Sequence, residues 1–288
     1  MNNDHAMPTR FHPRLALLAC GALLSLSAQA HRPWLLPSAT LTDGVAPVVS
    51  IDAAISEDLF EFDSFPLMLD TLRVTAPDGS AVATDTRTEA RRRVSFDVKL
   101  SQKGTFRFTG VTDVAMASWK VGGETRRWRG APAAMAREVP ADAQDLQVSR
   151  QLARAETFVT NETPSALPAT FTGDGLELLP LTNPTDLSVG DATRFRMLLD
   201  GKPYAGADVT VIRGGNRYRY KMGEIALKTD AAGEFSVTWP EAGRYWLGVN
   251  HGGRPQGGAG AASAAPTPAP AGGARRESYT ATFEVLPK

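Results

Sequence analysis

Short runs of alternating apolar and polar residues follow one another along most of the chain, with turn residues between them. Leu72–Thr75 and Val94–Val98 show this alternation clearly, which is typical of strands that turn one face to a core. Ala117–Arg129 has two β-rich arms around paired glycines and is predicted to be a hairpin. Gln147–Thr160 alternates weakly, which indicates one long strand or, at Leu152–Ala155, a helical turn.

Two β-rich domains account for this pattern. The first, over residues 31–165, is predicted to be an antiparallel β-sandwich, and the turn-rich segment Pro164–Asp174 follows it. Regularly spaced strands, among them Thr193–Leu199 and Tyr279–Val285, favour an immunoglobulin-like sandwich over residues 174–288. The sequence contains no strand–helix–strand repeat, which is the pattern that would indicate a parallel sheet. The predicted fold class is therefore all-β, with two antiparallel β-sandwich domains, the second immunoglobulin-like.

Residues 252–276 interrupt the second domain with a tract rich in Gly, Ala and Pro. Such a composition supplies almost no side chains for a core and predicts a flexible loop. Because a good strand follows the tract, we expect it to join two strands that pair with each other. The extra length costs little free energy, since loop-closure entropy grows only logarithmically with length.

The first thirty residues are typical of a secretory signal peptide. Arg14 precedes an apolar run from Leu15 to Leu26, and Ala28 and Ala30 form the small-residue pattern that signal peptidase accepts. Residues 1–30 are therefore predicted to be removed, so that the mature chain begins at His31. Lipoprotein processing before Cys20 is the alternative, but the apolar run ahead of that residue is short. The bacterial style of the signal predicts a periplasmic protein.

Composition narrows the classes of function. Lys plus Arg number 31 and Asp plus Glu number 31, with no basic block, so nothing predicts nucleic-acid binding. The only cysteine is Cys20, so a chain starting at His31 would bind metal through nitrogen and oxygen alone. Beyond the signal, no apolar segment is long enough to be a predicted transmembrane span. No hydrolase, nucleotide or dinucleotide motif is present, and we expect a protein that is not an enzyme.

A histidine at the start of the mature chain is a candidate metal ligand. Its α-amine, its imidazole and a peptide nitrogen could together chelate one divalent transition metal. His251, at the end of a predicted strand, is a candidate second ligand. Glu57 and Asp58 could supply oxygen instead, from a stretch that interleaves acids with aromatic residues. Each of these side chains could equally be an ordinary solvated residue, and the sequence does not show whether His31 and His251 converge.

Several stretches resemble an uncharacterised family of exported bacterial proteins described as periplasmic components of nickel or cobalt uptake systems. The resemblance lies in His31-x-x-Trp34-Leu35-x-Pro37, Ser56–Phe60, Leu72–Gly79, Gly123–Gly130, Leu179–Pro184, Asp200–Ala207, Thr229–Phe235 and Ala242–Trp246. It implies two β-rich domains, export, and a role in delivering or sensing Ni²⁺ or Co²⁺ beside a transporter. The family's mature N-terminal histidine corresponds to His31. The resemblance assigns no role to His251.

Three functions remain open at this point. The leading hypothesis is a periplasmic, non-catalytic metal-binding protein for nickel or cobalt uptake, with a metal-uptake transporter component as a possible partner. A structural or adaptor module that binds a protein or glycan without metal is the second. The third is a copper oxidase built on an N-terminal histidine, which needs a second well-placed histidine. Cu²⁺ stays possible under the first hypothesis too, because nitrogen ligands bind it most tightly.

Overall fold

The computed structural model describes residues 31–252 and 274–288. The strands of the N-terminal module are β1 (Arg32–Pro37), β2 (Leu41–Thr42), β3 (Val48–Ser56), β4 (Phe65–Pro66), β5 (Thr71–Thr75), β6 (Ala81–Val82), β7 (Thr86–Glu89), β8 (Val94–Lys99), β9 (Gly104–Val121), β10 (Glu124–Gly130) and β11 (Gln144–Asn161). A short helix, α1 (Pro132–Glu138), lies between β10 and β11.

The C-terminal module begins after an irregular segment. Its strands are β12 (Leu176–Pro180), β13 (Ala192–Leu199), β14 (Lys202–Pro203), β15 (Asp208–Arg213), β16 (Ile225–Lys228), β17 (Glu234–Thr238), β18 (Gly243–His251) and β19 (Ala274–Val285). One turn of 3₁₀-helix, Asn216–Tyr218, lies in the loop between β15 and β16.

The N-terminal module is a sandwich of two sheets. One sheet has the order β1-β3-β8-β7, with β4 also paired to β3, and its alternating residues point inward, as Ile51 and Phe96 do. The facing layer consists of β6, β5, β9 and β11, which contribute Val74, Phe106 and Val159 to the same core. This alternation of buried and exposed positions is the pattern from which the strands were predicted.

The C-terminal module is an immunoglobulin-like sandwich. A small sheet of β12, β13, β14 and β17 faces β16, β15, β18 and β19 across a core that includes Phe195, Trp239 and Phe283. Near the start of β18, the buried Tyr245 donates its hydroxyl to the carbonyl of Glu241, four residues upstream, at 2.8 Å. That contact is the tyrosine corner found in immunoglobulin-like folds, and it fixes the chain where it enters β18.

Two features join the modules. Strand β11 pairs parallel with β19, from Ser149 beside Ala274 to Thr157 beside Thr282, so one sheet runs through both modules. A further hydrophobic cluster lies between them and comprises Trp34, Leu36, Ala54, Leu59, Ile212 and Trp246. We call this cluster the junction core. Trp246 Nε1 also donates to the carbonyl of Pro33 at 3.0 Å.

The sequence-based fold class is confirmed, because the described residues form two β-sandwiches, the second immunoglobulin-like, whose named strands pair antiparallel except where β11 meets β19 and β2. The predicted long strand is β11, so a helical turn at Leu152–Ala155 is wrong: parallel and antiparallel neighbours hold this segment extended. The predicted loop over 252–276 ends too late, because β19 begins at Ala274 and pairs with β18 as expected. Residues 253–273 and the predicted signal peptide lie outside the described residues.

Candidate functional site

His31 and Glu57 are brought together by the pairing of the first strand with β3. Arg32 lies opposite Ser56 in the antiparallel register, which places His31 beside Glu57. The imidazole Nε2 is 3.6 Å from the Glu57 Oε1, and both side chains are about half exposed, at 46% and 48%. The ring of Phe65, from β4, lies 5.6 Å from the imidazole between centroids. A solvent-facing imidazole therefore stands beside one carboxylate and one aromatic ring.

Asp63 stabilises the turn that carries Glu57. Its carboxylate accepts hydrogen bonds from the backbone amides of Glu57 at 3.2 Å and Asp58 at 2.9 Å, and from the Ser64 hydroxyl at 2.6 Å. Burial would raise the pKa of Asp63, but these hydrogen bonds together with Arg217 lower it below the ordinary value. The carboxylate of Asp63 is thus ionised at neutral pH and holds the turn closed.

Asp58 points toward the C-terminal module. Its Oδ1 accepts from the Asn216 side-chain amide at 3.0 Å, and its Oδ2 lies 3.3 Å from Arg217 Nε. Asn216 also accepts the backbone amide of Leu59 at 2.9 Å. Both oxygens of this carboxylate therefore have partners in the β15–β16 loop, away from His31. We call the contacts of Asn216 and Arg217 with this turn the loop clamp.

His251 has a different set of partners from His31. Its Nδ1 lies 2.9 Å from the Tyr204 hydroxyl, and its backbone is opposite Glu277 in the β18–β19 ladder. It lies five residues after Trp246, the residue of β18 that contacts β1. Five residues correspond to about 17 Å along a strand. Within the described part of the chain, no group of three or more His, Cys, Asp or Glu side chains is arranged to hold a metal ion.

A transition metal fits the His31 side of this arrangement only with a further donor. Ligand bonds of about 2.0–2.2 Å place two atoms bound to one metal roughly 3 Å apart. Nitrogen from His31 is available at the surface, and Glu57 supplies a carboxylate at 3.6 Å from it. The α-amine of a chain beginning at His31 would be the additional donor, attached to the same residue as the imidazole.

The sequence did not single out Arg32, which is almost fully buried behind the pair. Its guanidinium donates to the Glu57 carbonyl at 3.3 Å and to the Met222 sulfur at 3.2 Å, and lies 5.8 Å from the centre of the Trp246 ring. Burial lowers the pKa of Arg32, and the nearby Glu224 opposes that shift. Arg32 therefore fixes the backbone of Glu57 from inside the junction between the modules. A single arginine after the predicted cleavage site gives no signal of this contact.

A second charged cluster lies at the start of β19. The side chain of Glu277 is fully buried, and its carboxylate is in ion-pair contact with the guanidinium of Arg275. Burial raises the pKa of Glu277. Arg275 also binds Asp174 at 2.9 Å and Asp200 at 2.7 Å. Its hydrogen bonds hold the pKa of Asp200 below the ordinary value. These ion pairs fasten β19 to the loops of the C-terminal module.

Comparison with known proteins gives a family match and distant structural likenesses. A profile described as domain of unknown function DUF4198 matches residues 28–253, most of the chain. No curated protein matches the chain. The part of the chain described by the structure holds no helix with the length and apolar character to cross a membrane.

Solved structures resemble the chain only loosely. A DUF4785 family protein from Legionella pneumophila is 8% identical with a TM-score of 0.23, covering 75% of this chain and 50% of that one. The D1–D4 ectodomain fragment of ICAM-5 is 11% identical with a TM-score of 0.21, covering 89% and 51%. The D0–D1 domain of intimin is 9% identical with a TM-score of 0.21, covering 87% and 97%. The chain spans about half the length of the first two.

Proposed function

This chain belongs to the DUF4198 family, whose function is unknown, and we propose that it is a periplasmic, non-catalytic metal-binding protein associated with nickel or cobalt uptake. The metal is held by His31 in the chain that remains after signal cleavage. The observation that carries the proposal is the exposed imidazole of His31 beside the carboxylate of Glu57, 3.6 Å away. An exposed site of this kind can load and release a cation, as delivery to a transporter requires.

Nitrogen ligands account for the class of metal. Imidazole and amine nitrogen suit Ni²⁺, Co²⁺ and Cu²⁺, with affinity rising toward copper along the Irving–Williams order. Selection of nickel or cobalt over copper therefore depends on supply or on the geometry of the partner and not on intrinsic affinity. The contacts of Arg32 and Asp63 with the carbonyl and amide of Glu57 support a site whose backbone is in place before metal arrives.

An adaptor function without metal is the second candidate. Exposed aromatic side chains favour it: Phe65 is 57% exposed beside His31, and Tyr218 is 79% exposed on the loop that also carries Asn216. Such rings are enriched where proteins bind partners. Under this function the loop and the His31 surface would bind protein or glycan, and changing His31 would leave metal content unaffected.

Equilibrium dialysis against Ni²⁺, Co²⁺ and Cu²⁺ distinguishes the two candidates. We expect protein beginning at His31 to retain one metal ion and the His31→Ala variant to lose it. His251→Ala is the matched control, because it removes the other mature histidine, which is bonded to Tyr204 at 2.9 Å. Equal metal retention by wild type and His31→Ala would contradict the proposal. Loss of metal from His251→Ala alone would show that the metal site lies at His251, at the end of β18.

A further inference from the structure

We infer that Glu57 is a positioning residue for His31: it holds the imidazole proton on Nε2 and so presents Nδ1 as the atom that binds metal. The inference rests on the proposed function and deepens it, because it assigns Glu57 a role other than that of a ligand. It also states which nitrogen of the ring meets the cation.

The geometry of the pair carries the first step. Of the imidazole atoms, Nε2 is the one that faces the Glu57 carboxylate, at 3.6 Å. An ionised carboxylate only accepts hydrogen bonds, and a neutral imidazole has one N–H and one lone pair. The negative charge beside Nε2 therefore favours the tautomer with its proton there. Nδ1 is left with a free lone pair.

The chemistry of an N-terminal histidine carries the second step. The α-amine and Nδ1 are separated by the Cα, Cβ and Cγ atoms of the same residue, so a single metal closes a small ring with both. Nε2 lies on the far side of the imidazole and cannot close that ring. Metal-binding histidines commonly donate their other ring N–H to a carboxylate, which fixes the tautomer and the ring orientation. The Glu57 carboxylate lies on the Nε2 side of the His31 ring at 3.6 Å, which is an ion-pair distance and longer than a hydrogen bond.

The surroundings fix Glu57 without help from a metal. Arg32 donates to its carbonyl at 3.3 Å, and Asp63 accepts its amide at 3.2 Å. The His31 ring is restrained on another side by Phe65, with ring centroids 5.6 Å apart and planes inclined at 49°. The backbone of Glu57 is thus fixed by residues of β1 and of the turn after β3, and the His31 ring is restrained by a residue of β4.

This assignment narrows the substrate class. An amine and an Nδ1 donor bound side by side, with the remaining positions open to water or a partner, suit metals that accept tetragonal nitrogen coordination, Cu²⁺ and Ni²⁺. The site is accordingly expected to favour Ni²⁺ over Co²⁺. Selectivity between these two ions becomes a property of the chelate. Glu57 strengthens metal binding by the chelate without coordinating the metal itself.

Nitrogen-15 NMR of histidine-labelled protein beginning at His31, recorded across a pH series, tests the inference on the neutral imidazole. In wild type without metal, we expect the Nε2–H tautomer of His31, and in Glu57→Leu a mixture of tautomers. Zn²⁺ alone is the diamagnetic probe, and its addition should shift Nδ1 and leave Nε2 protonated. Loss of this outer carboxylate should weaken affinity about 10- to 100-fold.

Glu61→Gln is the matched control, because Glu61 is an acid of the same turn and lies 4.0 Å from Arg217. This variant should keep the wild-type tautomer and affinity. A metal-bound Nε2, or an unchanged tautomer in Glu57→Leu, would overturn the inference. No metal-induced shift in wild type, with the Nε2–H tautomer intact, would instead contradict the proposed function and leave the tautomer assignment standing.

Discussion

Replacing Asn216 with alanine removes the centre of the loop clamp and should loosen the turn that carries Glu57. Asn216 accepts the amide of Leu59 at 2.9 Å and donates to Asp58 at 3.0 Å. Leu59 is only 1% exposed in the junction core, so its amide loses an acceptor that water replaces poorly. Leaving a buried donor unsatisfied costs about 1–3 kcal/mol, whereas the partly exposed carboxylate of Asp58 regains water. We therefore expect a loss of about 2 kcal/mol.

Urea unfolding, thermal unfolding and hydrogen exchange measure this loss of stability. For a protein of this size, each kcal/mol lowers the melting temperature by about 2–4 °C, so Asn216→Ala should melt about 4–8 °C below wild type. The Leu59 amide should exchange faster as well. Tyr220→Ala is the control, because Tyr220 is fully exposed on the same loop. If Asn216→Ala unfolds at the same urea concentration as Tyr220→Ala, the loop clamp contributes nothing to stability.

Three further predictions concern the junction core and the charged cluster. Trp246→Ala should cost about 3–5 kcal/mol in denaturant unfolding, as large aromatic deletions in cores do, and a loss under 1 kcal/mol would show that the modules do not depend on this contact. Glu277→Gln should raise the free energy of unfolding at pH 7. Its raised pKa means that the folded state disfavours the charged carboxylate. The gain in stability should therefore vanish as the pH falls toward the pKa of the unfolded chain, near 4.3. An equal gain at pH 7 and near pH 4.3 would contradict this. Asp200→Asn should destabilise at pH 7, because a lowered pKa contributes stability that is lost only below about pH 4. A deficit that persists at pH 2.5 would show that the ion pair with Arg275 is not its cause.

Local alternation predicted the strands whose two faces differ. Val94–Val98 has one face in the N-terminal core and the other toward solvent, and this period of two is visible in the sequence. Strand β1 was missed because both of its faces are covered, Leu35 by the N-terminal core and Trp34 by the junction core. A strand buried on both sides shows no alternation. Helix α1 was missed because none of its residues is buried, so it has no apolar stripe.

The sequence predicts the candidate site only where neighbouring residues in the chain mark a side chain as a possible ligand. His31 was marked by the cleavage pattern before it, and Glu57 by the acids around it. The Asp58 carboxylate accepts a hydrogen bond from Asn216, which lies 158 residues later in the chain. No pattern within the turn predicts that contact. His251 is a sequence-based candidate because it ends a predicted strand, yet its partner is Tyr204. Residue type identified candidates, and the pairing of strands decided which of them meet.

Calorimetric titration of Ni²⁺ into two forms of the protein determines whether the α-amine of His31 binds metal. One form begins at His31, and the other carries Gly-Ser ahead of His31, which removes its free α-amine and keeps the imidazole beside Glu57. We expect one tight site in the first form and its loss in the second. Equal binding by both forms would show that the amine of His31 is not a ligand. Absence of binding in both would contradict the metal function itself.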